Sequence, residues 1–375
     1  MFAPKPVEKP PIWYVYPIGK RVSFRYVAED YVNMLRKYFH VQVVFERTFL
    51  NIIPYSNPLV IIHPYFYPID FLEHRIESTI PDAVKKRLQY FKNRVGWMVG
   101  VDVADSDRMG SKAVEYANIC DAFIVNSEWS RRAYVRSGVR VPVYVVPHVL
   151  KPEFYREPRT PTHDLLNYLY RLKKAKKVKY LLFFLWHSGW RKGSDLVYKA
   201  VKRVQKKRKD VILLVKIADI IDESLGNLLK LGTILVRGWF DTDTLVDLYD
   251  LADVVLLFSR GGSFELNGLE AIARGKPIVA PKGGAWEEYI PDKCKPLFLA
   301  KARKWVSPLP GNTIHSGLGP EIDPVDASKK ILELLDSLED IKPTLEKASK
   351  YVREKYSYQS VESKLISAIH KIIEG

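Results

Sequence analysis

Short apolar runs rich in Val, Ile, Leu and Tyr alternate with amphipathic stretches along most of the chain, and this alternation limits the fold more than any other feature. IWYVYPI, VQVVFE, PLVIIHP, GWMVGVD, AFIVNS and VYVVPH fill the first 150 residues. Each is apolar continuously instead of at every second position, the pattern of parallel strands buried on both faces. Between the first two, Val27, Tyr31, Met34, Leu35 and Tyr38 recur at helical spacing. A doubly wound α/β unit is expected.

The rhythm then breaks and restarts. KPEFYREPRTPTHD holds three prolines and no periodicity, which puts a boundary near 151–162. Beyond it YLLFFLW, DVILLVKIA, TILVRGWF, VVLLFS and KPIVAP read as strands. Helices are expected from Ser194 to Lys207, over DTLVDLYDLA and from Asn267, and the tail from Pro324 reads as helical. The expected architecture is therefore two doubly wound α/β domains, residues 1–155 and 156–350, with a helix over 351–375 returning towards the first. Ligands of such sheets bind beyond the carboxyl ends of the strands, here in a cleft between the domains.

Composition narrows the function classes. Apolar content of 47% and charged content of 27% suit a folded chain. No run of 18 apolar residues predicts a spanning helix, and the opening MFAPKPVEKPP has Pro and charge where a signal peptide needs an apolar core. The expectation is a cytoplasmic protein. Two cysteines exclude a disulfide framework and a Cys-based zinc site. The net charge of +16 suits nucleic acid, an anionic membrane face or phosphorylated substrates. Scarce Gln and Cys beside abundant Lys, Arg and Tyr would suit a thermophile.

Two loops carry the chemistry. WHSGWRKGSD follows the first strand of the second half: its glycines let backbone approach a ligand, and Arg191 and Lys192 bring two cations to a helix start that Ser194 or Asp195 could cap. That is an anion site suited to phosphate, or else a solvated basic turn. SRGGSFELNGLE follows a later strand. Asn267 reads as a helix cap with Glu270 three residues on, a capping box. Glu265 sits inside the turn without such a local role, where it would meet solvent or the hydroxyls of a polyol.

WRKGSD, VRGWF and LYDLADVVLLFSRGGSFELNGLEAIARGKPIVAPKGGAWEEYI, in that order, resemble the carboxyl-terminal half of GT-B glycosyltransferases of the family 4 type. VNSEWSRRAYVRSGV followed by VYVVPHV looks like that family's segment leading to the interdomain crossing. The resemblance runs from about 97 to 290 and continues loosely through KYSYQSVESKLISAIHKI; the first 96 residues share only the α/β rhythm. It implies a retaining, metal-independent transferase that moves a hexose from a UDP- or GDP-sugar to a saccharide or lipid-linked acceptor, with no cofactor. Lys192, beside Arg191, matches the family's phosphate-binding lysine, and Glu270 matches the glutamate that holds the ribose hydroxyls. Gly262, Ser263, Phe264, Leu266 and Asn267 fall where the family's loop touches donor phosphates and sugar. Gly19 would let the amino-terminal loop approach the diphosphate. Trp239 or Phe240, after the strand TILVRG, could stack near the base or equally belong to the core.

Two departures accompany the match. Gly262 stands where the family has its first glutamate, and Glu265 stands where Gly usually follows Phe, so a carboxylate would reach the sugar from a shifted site. In the first half, GVDVADSDRMG supplies Asp102, Asp105 and Asp107 in place of a histidine. Asp102 could act as acceptor-side base, whereas Asp107 or Ser111 could cap the next helix. His63 and His148 read as packed strand-end residues. Residues 81–95 place Val84, Leu88, Phe91 and Val95 on one helical face among Lys85, Lys86, Arg87, Lys92 and Arg94, either a core-packed helix or a peripheral contact with the inner membrane face. The alternatives are a sugar-nucleotide binding protein with reduced catalysis, suggested by Gly262, and a basic nucleic-acid-binding protein, against which the scattered cations count.

Overall fold

In the computed structural model, which describes residues 9–19, 22–69, 82–186, 188–218 and 223–375, the six runs of the first half are strands. They are β1 (Ile12–Tyr16), β2 (Val41–Phe45), β3 (Leu59–Ile62), β4 (Trp97–Asp102), β5 (Ala122–Val125) and β6 (Val143–Val145). All pair in parallel in the order β2-β1-β3-β4-β5-β6. The second half gives β7 (Lys179–Phe184), β8 (Val211–Lys216), β9 (Ile234–Val236), β10 (Val254–Leu256), β11 (Ile278–Pro281) and β12 (Leu299–Ala300). These too are parallel, in the order β12-β11-β10-β7-β8-β9. The order reverses at β7 and β10, so the loops after those two strands flank the switch point where doubly wound sheets take ligands.

Helices cover both sheets, as the sequence implies. Tyr38 falls outside the first of them, which ends at Leu35, and is exposed. The Pro324–Lys355 helix lies on the second domain, burying Ile331, Leu334 and Leu345 in its core. The Tyr358–Glu374 helix returns to the first domain, where Val361, Leu365 and Ile369 join Ile12, Tyr14 and Val27. The Ala83–Lys92 helix buries Val84, Leu88 and Phe91, while Lys85 pairs with Glu115 and Lys92 with Asp121; Pro81 lies outside the described residues. No described helix is long and apolar enough to cross a membrane.

Neither β12 nor a hairpin beyond it was foreseen. β13 (Ala302–Val306) and β14 (Gly319–Ile322) form an antiparallel hairpin on the second domain. Its 307–318 loop crosses to the first domain, where Ile314 enters the core. The Asp107 and Leu318 backbones bond at 2.9 Å, Gly110 N–H donates to the Ile314 carbonyl at 2.8 Å, and Leu318 N–H donates to the Asp107 carboxylate at 2.7 Å. Asp107 therefore holds this strap, and the Ser111–Ala117 helix is preceded by Gly110 with no side-chain cap.

Candidate functional site

At the end of β7 the chain makes a short helical turn, Gly189–Lys192, and leaves it through Gly193 at φ +72°. A Cβ on Gly193 would lie 2.2 Å from the Phe258 carbonyl, so only glycine lets this turn sit directly on the end of the β10 segment. Ser194 and Asp195 do not cap the next helix as expected. The Ser194 hydroxyl donates to the Gly189 carbonyl at 3.1 Å, and Asp195 receives Arg260 bidentately at 2.8 and 2.9 Å. Arg260, 1% exposed, also bonds Glu321 of β14 at 2.6 Å and the Trp190 carbonyl at 2.7 Å. One buried guanidinium thus locks the two switch-point loops and the hairpin together.

This packing turns Lys192 and Arg191 towards the second loop. Lys192 Nζ donates to both carboxylate oxygens of Glu265, at 2.9 and 2.6 Å, and Arg191 lies 3.5 Å from the same group. Glu265 is 4% exposed at its side chain and has a left-handed backbone, φ +57°, unusual for a residue with a Cβ. It precedes the Leu266–Ala273 helix, so Asn267 lies within the first turn and is not the cap. Burial lowers the Lys192 pKa, and the Glu265 charge opposes that shift. Asp105 completes the cluster, 3.8 Å from Arg191. Burial pushes its carboxyl up, but Arg191, His315 and Lys192 outweigh this and hold it below the usual range.

The remaining expected residues take distinct places. Glu270 is buried and accepts the Tyr249 hydroxyl at 2.6 Å, and burial raises its pKa to about 7. Ser263 bridges the domains: its amide donates to Asp105 at 3.2 Å, its hydroxyl accepts from Asn126 at 2.9 Å and its carbonyl from Ser127 at 2.6 Å. Phe264 is buried against His148, Tyr289 and Tyr356. Leu266 opens the helix, half-buried. Trp239, 37% exposed, stacks on Tyr26 of the first domain, with centroids 5.5 Å apart, and meets Trp186 edge-on. Gly19, at φ +82°, is exposed with open space around it. Asp102 is 5% exposed and accepts the Phe66 and Val103 amides, both at 2.8 Å; burial raises its pKa to about 7. His63 and His148 are packed as expected, their pKa values lowered by burial to about 3 and 4.

The chain is 36% identical over 366 residues to Uncharacterized protein 356 of Sulfolobus islandicus rod-shaped virus 1, covering 96% of this chain and 98% of that protein. The chain belongs to that protein's family. Residues 178–307, which span both switch-point loops, match the family described as Glycosyl transferases group 1. A protein of Sulfolobus islandicus filamentous virus named for glycosyltransferase activity is 28% identical over 266 residues, 69% of this chain and 70% of its own length. Among solved structures, Anabaena HepE in complex with UDP and glucose shares the fold with a TM-score of 0.63, at 14% identity, over 97% of this chain and 100% of that one. The chain has the GT-B fold, and its second half carries a domain of the glycosyl transferases group 1 family.

The structure brings Arg191, Lys192 and Glu265 into one cluster, with Gly262 against it. Asp102 stands apart, at the end of β4, and Asp105 three residues on is the acidic group that reaches the cations. Asp105 carried no local signal over its neighbours, since which aspartate of DVADSD enters the cleft depends on how the 307–318 strap pins the loop. Arg260 was equally hidden, because its partners Asp195 and Glu321 lie 65 and 61 residues away.

Proposed function

We propose that the protein is a retaining glycosyltransferase of the family 4 type, which moves a hexose from a nucleotide-diphosphate sugar to a hydroxyl of a saccharide or lipid-linked acceptor without a metal ion. The observation that carries this reading is the Lys192–Glu265 pair flanked by Arg191 at the switch point of the second sheet. A diphosphate entering there meets two part-buried cations already held at the site, so charge developing on the leaving phosphate is stabilised. The Glu265 carboxylate, released from part of its bonding to Lys192, accepts sugar hydroxyls. Glu270, fixed by Tyr249 one turn into the helix, receives the ribose, and Trp239 offers the base a ring face.

The HepE complex with UDP and glucose supports a nucleotide sugar as donor. A carboxylate beside Gly262 speaks against a binding protein without catalysis. The reading extends to a cytoplasmic enzyme that touches the inner membrane face through the basic face of the Ala83–Lys92 helix; failure to co-sediment with anionic liposomes at low salt would remove that contact. The test of the whole is nucleotide release from UDP-, GDP- and ADP-sugars, with and without EDTA, beside Lys192→Ala. Release from one donor that survives EDTA and vanishes in the variant is the expected result. EDTA-sensitive release would sink metal independence, and no release in the presence of saccharide acceptors would sink the transferase reading.

A further inference from the structure

A cavity of about 400 Å³ lies between the Gly189–Lys192 turn and the strap, lined by Trp190 and Arg191 on one side and by Pro308, Leu309, Pro310 and Asn312 on the other. Single exposed aromatic residues are ordinary, but Trp190 is both exposed, at 47%, and held rigidly. One face of its ring rests on the Arg260 guanidinium, 3.6 Å from the ring centre, and its indole N–H donates to the Ser307 carbonyl at 3.1 Å. The clamp beneath it is itself fixed by Asp195 and Glu321. The indole is therefore a preset platform in the cavity wall.

We infer that this cavity is an acceptor subsite for the pyranose ring of a saccharide, with Trp190 as its stacking surface. The inference rests on the glycosyltransferase reading and adds a place for the acceptor. The lining has the make-up of a neutral-ligand site, mostly apolar surface with a few polar groups to set orientation. Asn312 spends its carbonyl on the Ile314 and His315 amides, at 2.9 and 2.8 Å, which leaves its NH₂ as a donor for a hydroxyl. Among the described residues Arg191 is the single charged side chain in the lining, too little positive charge to neutralise a diphosphate there. The same arginine reaches Glu265, which puts a ring stacked on Trp190 one side chain away from the donor cluster.

The test uses the full chain labelled with 5-fluorotryptophan, the Trp190 resonance being the one missing from Trp190→Phe. Probes are the methyl α- and β-pyranosides of glucose, galactose and mannose, with sodium pyrophosphate as the contrasting ligand. At least one pyranoside is expected to shift that resonance saturably while other indoles stay in place. Trp190→Ala is expected to raise the Kd for that glycoside about tenfold, read by saturation-transfer NMR on the glycoside's own protons. Trp190→Phe, which keeps a ring over Arg260, is expected to retain part of the affinity. A Trp190 signal that answers to pyrophosphate alone, or to none of the probes, overturns the subsite. Donor binding is measured separately by calorimetry with UDP-, GDP- and ADP-glucose, so failure of the donor reading is distinguishable from failure of the subsite.

Discussion

The Glu265 carboxylate occupies the space that a side chain at Gly262 would fill: a Cβ built on Gly262 lies 2.3 Å from Glu265 Oε1 and 2.8 Å from its Cγ. The carboxylate expected at one position thus arrives from another, three residues on. Glu265→Gln is predicted to lower kcat/KM for nucleotide release about a hundredfold or more. Gly262→Glu alone, which crowds two carboxylates beside Lys192, should be equally impaired. The double variant Gly262→Glu with Glu265→Gly should recover a measurable part of the rate. A double variant no better than either single one would show that the two positions are not interchangeable.

Lys192 and Glu265 compensate each other in a site where their side chains are 17% and 4% exposed. Lys192→Met leaves a buried carboxylate without its closest cation, a loss on the order of 3–5 kcal/mol. Urea unfolding should register that loss. Adding Glu265→Gln should return most of the stability and none of the activity, which separates the structural from the chemical role of the lysine.

Glu270 gives the pH dependence a sign. Its pKa rises on folding from 4.5 to about 7 through burial, so the folded protein binds this proton more tightly than the unfolded chain does. Its contribution is fully present below about pH 4.5 and is lost as pH rises through 7, on the order of 3 kcal/mol in all. Asp102 acts in the same direction, raised from 3.8 to about 7. Glu270→Gln should therefore gain stability relative to the parent between about pH 5 and pH 8. Parallel stability curves for the two proteins would contradict this.

The strap depends on the absence of a side chain at Gly110, where a Cβ would stand 1.9 Å from the Thr313 carbonyl. Gly110→Ala is predicted to lift the 307–318 loop from the first domain and withdraw Ile314 from its core. Limited proteolysis within 307–318 should become fast in the variant and stay slow in the parent.

The sheets were legible because a parallel strand buried on both faces needs an unbroken apolar run, and PLVIIHP or DVILLVKIA meet that need within their own few residues. Arg191, Lys192 and Glu265 were legible for the same local reason, as cations and a carboxylate in glycine-rich loops after strands. What stayed hidden was set by partners distant in sequence. ARKWV and GPEI carry no strong strand pattern and form a hairpin through Arg303 and Arg260 converging on Glu321. Asn267 looks like a helix cap by composition, yet the cap position falls two residues earlier, on Glu265 with its left-handed backbone.

Among the described residues the chain links its two domains at three places: the segment after β6, the strap, which goes out and back, and the turn before the Tyr358–Glu374 helix. Each returning piece fills a hole in the other domain's interior, Ile314 on one side of the first sheet and Ile369 on the other. The first domain's interior is consequently incomplete until the strap and the Tyr358–Glu374 helix have been made. Heating should melt both halves in a single calorimetric transition, and a protein cut short before the strap should not survive as a smaller folded piece.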